Sequence, residues 1–270
     1  MSESLSVRFL YGTAAGRFFL RILTAPGISR AVGAFLDRRA SRVFIKGFMR
    51  RNGITLDGID VPDGGFASFN DFFTRKKQHI DVCTDPHKLI SPCDGYLTCF
   101  RIDKNSVFKI KNSCYSVTDL LCDGAIGKSY RNGYALIFRL TPADYHRYIF
   151  FDSGEALYRR RIDGILHCVR PLATEAFPVY IQNSREYTLL RTDNFGDVVM
   201  IEIGALFVGR IVNREVNTFT RGEEKGKFEF GGSTVILLLE ENSINLHDSF
   251  FSDKERRVHI GEPIADLKNR

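Results

Sequence analysis

The chain has 270 residues, of which 44% are hydrophobic and 26% are charged. This composition is that of an ordinary folded protein, and it excludes a low-complexity or mostly disordered chain. Residues 1–51 carry nine arginines and one lysine against one glutamate and one aspartate, a net charge of +8, whereas the remainder sums to −2.

The first predicted elements are two amphipathic helices within residues 17–51, separated by Pro26 and Gly27. Arginines interrupt each apolar run well before the eighteen or more residues that a membrane span requires, so we expect no transmembrane helix. Two interpretations stay open. The helices lie on an anionic membrane, where each basic residue adds roughly 1 kcal/mol, or they pack on the protein's own core. No nucleic-acid-binding fingerprint follows, and we expect no nucleic acid partner.

A turn-rich joint at 52–65 precedes the segment FASFNDFFTRKKQHID, which predicts a short amphipathic helix. From about Leu89, short β-prone runs predict strands, namely YLTCFRI, YALIFRL, VVMIEIGALFVGRIV and STVILLLEE. The order predicts an α+β fold, in which N-terminal amphipathic helices precede a β-rich catalytic body like a barrel or sandwich. We divide the chain into a basic helical region, 1–65, and a β-rich domain, 66–270.

Six cysteines are scattered along the chain without a CxxC pair, and no secretory hydrophobic segment precedes them. We expect reduced thiols, with neither a zinc site nor a disulfide.

Three polar clusters interrupt the predicted strands. SPCDGYL contains Asp94, TPADYHRYIFF contains Asp144, His146 and Arg147, and EFGGSTVILLL opens with two glycines, a serine and a threonine. Each cluster alone has an ordinary structural explanation: an Asp-Gly turn, a structural histidine, and a tight turn before a core strand.

Taken together, in this order and at these separations, the clusters resemble the phosphatidylserine decarboxylase family. The Pro-x-Asp-Gly element is residues 92–95, the Asp-Tyr-His-Arg element is 144–147, and the Gly-Ser-Thr element is 232–234. Connecting stretches match as well: FNDFFTRK at 69–76, IEIGALFVGRI at 201–211, GEEKGKFEFGGSTV at 222–235 and GEPI at 261–264. The resemblance extends from about residue 69 to the C-terminus, while the N-terminal helices match only in character.

The resemblance implies a proenzyme that cuts itself between Gly232 and Ser233 into a large and a small chain. It implies that Ser233 becomes a covalent pyruvoyl cofactor, an electron sink for converting phosphatidylserine to phosphatidylethanolamine and CO2. In the family a histidine oriented by an aspartate activates the serine, and Asp94 matches that aspartate. We therefore expect Asp94, His146 and Ser233 to be catalytic, and we expect no metal.

The resemblance also implies a location. We expect a peripheral protein on the cytoplasmic side of the cell membrane, with phosphatidylserine and an anionic surface as partners. Whether the chain forms a homo-oligomer stays open. A soluble amino-acid decarboxylase with the same prosthetic group is disfavoured, because those enzymes lack the basic aromatic N-terminal segment.

One departure concerns the base for self-cleavage. The family carries a second histidine three residues after that of Asp-Tyr-His-Arg, and this position is Ile149, which cannot accept a proton. Either His146 acts as the base, or His167 of GILHCVRP reaches the site, or the chain is a non-catalytic, membrane-associated homologue. Residues 146 and 149 would share a face in a helix and point to opposite faces in a strand. The remaining histidines are expected at the surface: His79, His87, His247 and His259.

Overall fold

The computed structural model describes residues 13, 16, 26–110, 113–169, 178–205, 210–231, 233–246 and 255–268. Helices near the N-terminus precede a sheet-rich body, which confirms the predicted α+β class. Residues 17–25 of the first predicted helix, Gly232 and His247 lie outside the described residues.

The N-terminal part is helical. Helix α1 spans Pro26–Leu36, a 3₁₀ helix spans Arg39–Phe44, and helix α2 spans Ile45–Asn52. Helix α2 ends at Gly53, whose left-handed φ of 64° is a conformation that glycine adopts readily. None of the helices in the described part of the chain combines the length and hydropathy of a transmembrane segment.

A short helix, α3, occupies Phe69–Phe73, within the segment predicted as helical. Ser68 caps it by accepting a hydrogen bond from the Asp71 N–H at 3.1 Å, and the Asp71 carboxylate accepts one from the Ala67 N–H at 2.7 Å. These side chains satisfy donors that the first helical turn leaves unpaired.

The helices bury an apolar group that we call the phenylalanine cluster. Its buried members are Leu36, Phe48, Ile59, Phe66, Phe69, Phe72 and Phe73. Phe230 joins it from the far end of the sequence, with its ring 5.0 Å from that of Phe69 and 5.1 Å from that of Phe73. The N-terminal helices are thus packed against the segment that directly precedes Ser233.

The body is built on one large antiparallel sheet. Its eight strands, in spatial order, are β13 (Thr218–Phe219), β9 (Gly154–Ile162), β10 (Arg185–Thr192), β11 (Gly196–Gly204), β15 (Ser233–Leu239), β7 (Tyr134–Leu140), β4 (Gly95–Arg101) and β17 (Arg256–Val258). The predicted strands at 96–102, 134–140 and 233–241 correspond to β4, β7 and β15, and the predicted run at 198–212 covers most of β11 and the start of β12. The sheet has two ends, so the described strands do not close into the barrel that the sequence left as one form of the body.

Smaller elements surround this sheet. They are the three-stranded sheet of β12 (Ile211–Asn213), β14 (Glu224–Phe228) and β8 (Arg147–Ile149); the three-stranded sheet of β16 (Ile244–Asn245), β18 (Pro263–Leu267) and β3 (Lys88–Ile90); the pairs β5 (Val107–Ile110) with β6 (Ser113–Ser116) and β1 (Ile59–Asp60) with β2 (Lys76–Lys77); and helices α4 (Val117–Leu121), α5 (Gly124–Ser129) and α6 (Val179–Gln182). We call the first of these sheets, β12-β14-β8, the small sheet.

The two faces of the large sheet bury different apolar clusters. The front cluster takes Val235, Leu237 and Leu239 of β15 and also contains Tyr148 and Phe228 of the small sheet. The back cluster takes Ile236 and Leu238 of β15, together with residues of α4 and α6. Because side chains alternate along a strand, Ser233 belongs to the front face.

Candidate active site

Asp94 lies in the turn that leads into β4, and its side chain is 8% exposed. Its Oδ2 accepts a hydrogen bond from Lys77 Nζ at 2.9 Å, and its Oδ1 accepts one from the Ile260 N–H at 2.8 Å. The next residue has to be a glycine, because a Cβ at Gly95 would lie 2.9 Å from the backbone oxygen of Arg139. The Asp-Gly turn therefore holds a fixed, nearly buried carboxylate.

His146 lies at the entrance to β8 and is fully buried. Its Nδ1 is 2.9 Å from the backbone oxygen of Asp144, which accepts hydrogen bonds only, so Nδ1 carries the proton of the neutral ring. Its Nε2 has no hydrogen-bond partner among the described residues. The ring stacks at 4.0 Å from that of Phe73, in the phenylalanine cluster. His146 thus presents a free lone pair in an apolar setting.

The surroundings keep His146 neutral. Burial, and after it the charge of Arg75, lower the pKa of His146 from 6.5 to about 3, while the Asp144 carbonyl and the charge of Asp94 oppose this shift. Arg75 is itself buried, and its Nη2 donates to the backbone oxygens of Ala143 and Asp144, both at 3.2 Å. The backbone carbonyl of Asp144 therefore fixes the tautomer of His146 and also binds Arg75, whose charge disfavours protonation of the ring.

Ser233 is the first residue of β15, in the middle of the large sheet. Its Cα partners are Gly204 on β11 and Leu140 on β7. The residue is fully buried, and its Oγ has no hydrogen-bond partner within the described part of the chain. Buried hydroxyls are usually paired, so this one is a candidate for a functional group.

Two backbone hydrogen bonds and one short chain connection bring these segments together. The Phe228 N–H donates to the His146 oxygen at 2.8 Å, which fixes the end of β14 beside the histidine. The Ile149 N–H donates to the Pro92 oxygen at 2.9 Å, which fixes the Asp94 turn beside β8. Only residues 229–232 separate β14 from Ser233. The three predicted site residues thus lie on segments that contact one another, although Asp94 and His146 share no hydrogen bond among those described.

Comparison with known proteins shows the family of the chain. The sequence profile of the family described as phosphatidylserine decarboxylase matches residues 69–266. The chain is 39% identical over 270 residues to "Phosphatidylserine decarboxylase proenzyme 2" of Clostridium acetobutylicum, which covers 97% of this chain and 92% of that protein. The chain belongs to the phosphatidylserine decarboxylase family.

Two further relatives have similar coverage. A "Phosphatidylserine decarboxylase proenzyme" of Ruminiclostridium cellulolyticum is 39% identical over 268 residues, covering 95% of this chain and 89% of that protein. One from Clostridium botulinum strain Langeland is 37% identical over 273 residues, covering 97% and 92%. These comparisons give no support to the alternative of a non-catalytic homologue.

Ile149, at the position of the family's second histidine, is a core residue. It lies in β8 opposite Glu224 and is buried in the front cluster. Because the backbone is extended from residue 147, positions 146 and 149 do not share the face that a helix would give them. The sequence did not decide whether residues 146 and 149 share a face. Because β8 is a strand, a histidine at position 149 would point to the face opposite that of His146.

His167, the other candidate base, is placed by Asn183. The Asn183 side chain accepts from the His167 N–H at 2.9 Å and donates to the oxygens of His167 and Gly204, both at 2.8 Å. The residues that follow, Cys168 and Val169, pack against the back cluster. The chain at His167 is thus tied to β11 near Ser233, but it continues on the face of the sheet opposite to Ser233.

Other histidines lie where the sequence placed them. The side chains of His79, His87 and His259 are 81%, 70% and 64% exposed, which confirms that they are surface residues. His259 nevertheless approaches the site, with its Nδ1 4.0 Å from Asp94 Oδ1.

Two cations of this site in the decarboxylase were not predicted from the sequence. Lys77 binds Asp94 and lies 4.9 Å from the centre of the Tyr145 ring, while Arg75 acts on His146. Arg75 belongs to the stretch FNDFFTRK, 69–76, which resembled the family as a whole, and Lys77 directly follows it. The signal available in the sequence was two basic residues directly after a phenylalanine-rich segment that was predicted to be helical.

The depressed pKa of His146 predicts how stability depends on pH. The unfolded chain takes up this proton near pH 6.5 and the folded chain only near pH 3, so stability falls as the pH drops through 6.5. In a Ser233→Ala background, lowering the pH from about 7 to 5.5 should reduce the free energy of unfolding of the parent chain. We expect this reduction to be smaller by about 1 kcal/mol in the chain that also carries His146→Gln. Urea titrations at both pH values measure this. His87→Gln, at an exposed site, should leave the difference unchanged; a similar pH dependence in parent and His146→Gln would contradict the burial of a neutral ring.

Proposed function

We propose that the chain is a self-processing phosphatidylserine decarboxylase, which converts phosphatidylserine to phosphatidylethanolamine and CO2 by means of a pyruvoyl group made from Ser233. The observation that carries the proposal is a pair of buried, unpaired groups on adjoining segments: the Ser233 hydroxyl and the Nε2 lone pair of His146. A nucleophile needs a base that is neutral at working pH, and burial keeps His146 neutral.

The residues present fit a group of this kind. Ser233 begins a fully buried strand, so a carbonyl formed there would be held rigidly and away from bulk water. The pyruvoyl group would supply an electron sink for loss of CO2 from an amine-bearing carboxylate. Asp94, fixed by Lys77 and the Ile260 N–H, would provide a negative charge beside the segment that holds His146.

Self-cleavage follows a balanced sequence. The Ser233 Oγ attacks the carbonyl carbon of Gly232 and gives its proton to His146 Nε2; the amide C–N bond breaks, and the nitrogen takes a proton to leave an ester and a free amine. Removal of the Ser233 Cα proton then breaks the Cβ–O bond and releases residues 1–232 as a carboxylate. The dehydroalanine left at 233 takes up water and loses ammonia to give the ketone. His146 is the group available for both proton transfers.

His146 is favoured over His167 as the base. Ser233 lies on the front face of the large sheet, and Tyr148 and Phe228 of the small sheet pack in the front cluster. His146 precedes Tyr148 by two residues, and its backbone oxygen accepts the hydrogen bond from the Phe228 N–H. His167 is followed by residues of the back cluster. The large sheet therefore stands between Ser233 and the two described residues that follow His167, namely Cys168 and Val169.

A surface on the N-terminal helices supports peripheral attachment to a membrane. Phe35, Val43 and Phe44 are 42%, 76% and 47% exposed, and the two phenylalanine rings are 6.1 Å apart. Exposed basic residues surround them in the sequence: Arg38, Arg39, Lys46, Arg50 and Arg51. Exposed apolar side chains beside basic ones suit the interface of an anionic leaflet, such as the cytoplasmic one. The opposite faces of these helices pack into the phenylalanine cluster, so attachment would place the basic helical region, 1–65, between the bilayer and the decarboxylase domain, 66–270.

Replacing Val43 and Phe44 by serine is expected to weaken binding to vesicles of phosphatidylglycerol and phosphatidylcholine by about 10- to 100-fold, since burying the exposed parts of the two side chains contributes roughly 1.5–3 kcal/mol in total. Binding should also fall steeply between about 50 and 500 mM salt, because screening weakens the attraction of the basic residues to the anionic lipids. Co-sedimentation measures both effects. Leu157→Ser, 41% exposed on β9, is the matched control and should bind normally. Equal binding by the Val43/Phe44 variant would contradict this surface.

The mass of the purified protein tests the proposed function directly. We expect two polypeptides, residues 1–232 and residues 233–270, with the small chain blocked at its N-terminus by pyruvoyl. The small chain has 38 of the 270 residues and separates readily from the large one. A phosphatidylserine assay should then detect CO2 release. A stable single polypeptide of 30.7 kDa without activity would refute the proposal.

A further inference from the structure

Lys225 and Glu202 form an ion pair that is buried between the large and the small sheet. Their side chains are 2% and 0% exposed, and Lys225 Nζ lies 2.8 Å from Glu202 Oε1. Asn213 completes the group: its Nδ2 donates to Glu202 Oε2 at 3.0 Å, and its Oδ1 accepts from Lys225 Nζ at 3.1 Å. Each oxygen of the carboxylate thus has a partner, as a stable buried charge requires.

Glu202 lies next to Ser233 on the same face of the large sheet. It is two residues before Gly204, the Cα partner of Ser233, and it lies opposite Val235. Glu202 and Ser233 are therefore diagonal neighbours on the front face, a relation that places two residues about 7–8 Å apart. The chemistry proposed above makes no use of this buried pair.

Lys225 is the extra residue of a bulge in β14. The register of β14 against β8 shifts between Glu224 and Gly226, which leaves Lys225 without a partner on β8. Bulges change the direction of side chains, and the two neighbouring side chains here bind partners on different sheets. Glu224 binds Arg147 on the small sheet, whereas Lys225 binds Glu202 on the large sheet.

The pair therefore joins the two sheets at the place where the chain passes from one to the other. Strand β14 ends at Phe228, residues 229–232 make the crossing, and β15 starts at Ser233. The Phe228 N–H binds the His146 oxygen, so a displacement of β14 would displace His146 as well. Both the base and the peptide bond to be cut thus depend on the position of β14 relative to β11.

We infer that Lys225 and Glu202 are positioning residues for self-cleavage, which hold β14 and His146 in register with Ser233. The inference rests on the proposed function. An apolar pair of similar volume would stabilise the fold equally well or better, because desolvating two charges is costly. The ion pair differs from an apolar pair because hydrogen bonds require a specific geometry. Its hydrogen bonds therefore fix the position of β14 relative to the large sheet. Burial raises the pKa of Glu202, while Lys225 and Asn213 oppose this shift.

The test compares the rate of self-cleavage with stability. In the double variant Glu202→Leu/Lys225→Met, we expect the thermal midpoint to be unchanged or raised and the first-order cleavage rate to fall at least tenfold. Lys225→Arg, which keeps the charge, should cleave within about threefold of the original rate. The control is Arg191→Gln/Asp197→Asn, which removes an exposed ion pair on β10 and β11 and should cleave normally. Cleavage is followed by intact mass after synthesis in a cell-free system.

A second measurement separates this inference from the proposed function. In the Ser233→Ala background, amide hydrogen exchange of the peptide 226–236 should be faster in the double variant than in its parent. If the original chain never cleaves, the proposed function fails, but the exchange comparison still tests the pair. Unchanged exchange, an unchanged cleavage rate in the double variant, or failure of the double variant to fold would each refute a positioning role.

Discussion

A chain carrying Ser233→Ala is expected to remain a single polypeptide of 30.7 kDa, with no small chain detectable after days of incubation. The substitution removes the only atom that is proposed to attack the Gly232 carbonyl, so both cleavage and formation of the pyruvoyl group should be lost. The loss should be complete, because the alanine side chain offers no nucleophile at this position.

The variant should nevertheless fold. Ser233 Oγ has no hydrogen-bond partner among the described residues, so its removal leaves no buried donor or acceptor unsatisfied. Replacing such a hydroxyl is neutral or slightly stabilising, and we expect an equal or higher thermal midpoint. Thr188→Val is the matched control, because Thr188 is also a buried hydroxyl without a described partner, on β10. It should cleave at the original rate. Cleavage of the Ser233→Ala chain at the same position would exclude Ser233 as the nucleophile.

The sequence was informative where local pattern determines structure. Strands β4, β7 and β15 were predicted nearly to the residue, because continuous apolar runs bounded by glycine, asparagine and aspartate specify buried strands almost unaided. The choice between barrel and sandwich could not be made, since closure depends on how distant strands pair. The neighbours of β15, for example, come from residues 134–140 and 196–204.

The site was predictable in its residues but not in its contacts. Asp94, His146 and Ser233 were found from motifs, whereas the state of His146 depends on groups that no motif joins. Arg75 is 69 residues from Asp144, whose carbonyl it binds. Lys225 binds Glu202, 23 residues away, from a bulge in β14 that the sequence does not signal. Long-range hydrogen bonds therefore carry the information that was missing.

Loss of His146 is expected to slow self-cleavage by about 10²- to 10⁴-fold, the usual effect of removing a positioned general base. The structural reasons are specific. Nδ1 is committed to the Asp144 oxygen, Nε2 is free, and the pKa of about 3 leaves nearly every molecule with an available lone pair at neutral pH. His146→Ala is therefore expected to accumulate as an uncut precursor that converts slowly, measured by intact mass over time.

Two comparisons distinguish a base from a structural residue. His146→Ala removes a ring that packs on Phe73, so it leaves a space in which added imidazole should restore part of the rate. His167→Ala, made in parallel, should cleave within a few-fold of the original rate, because the chain at His167 continues on the opposite face of the large sheet. Circular dichroism checks that both variants are folded. If His167→Ala stops cleavage while His146→Ala cleaves normally, the base is His167; if neither variant slows cleavage, the proton from Ser233 passes to a group other than these two histidines.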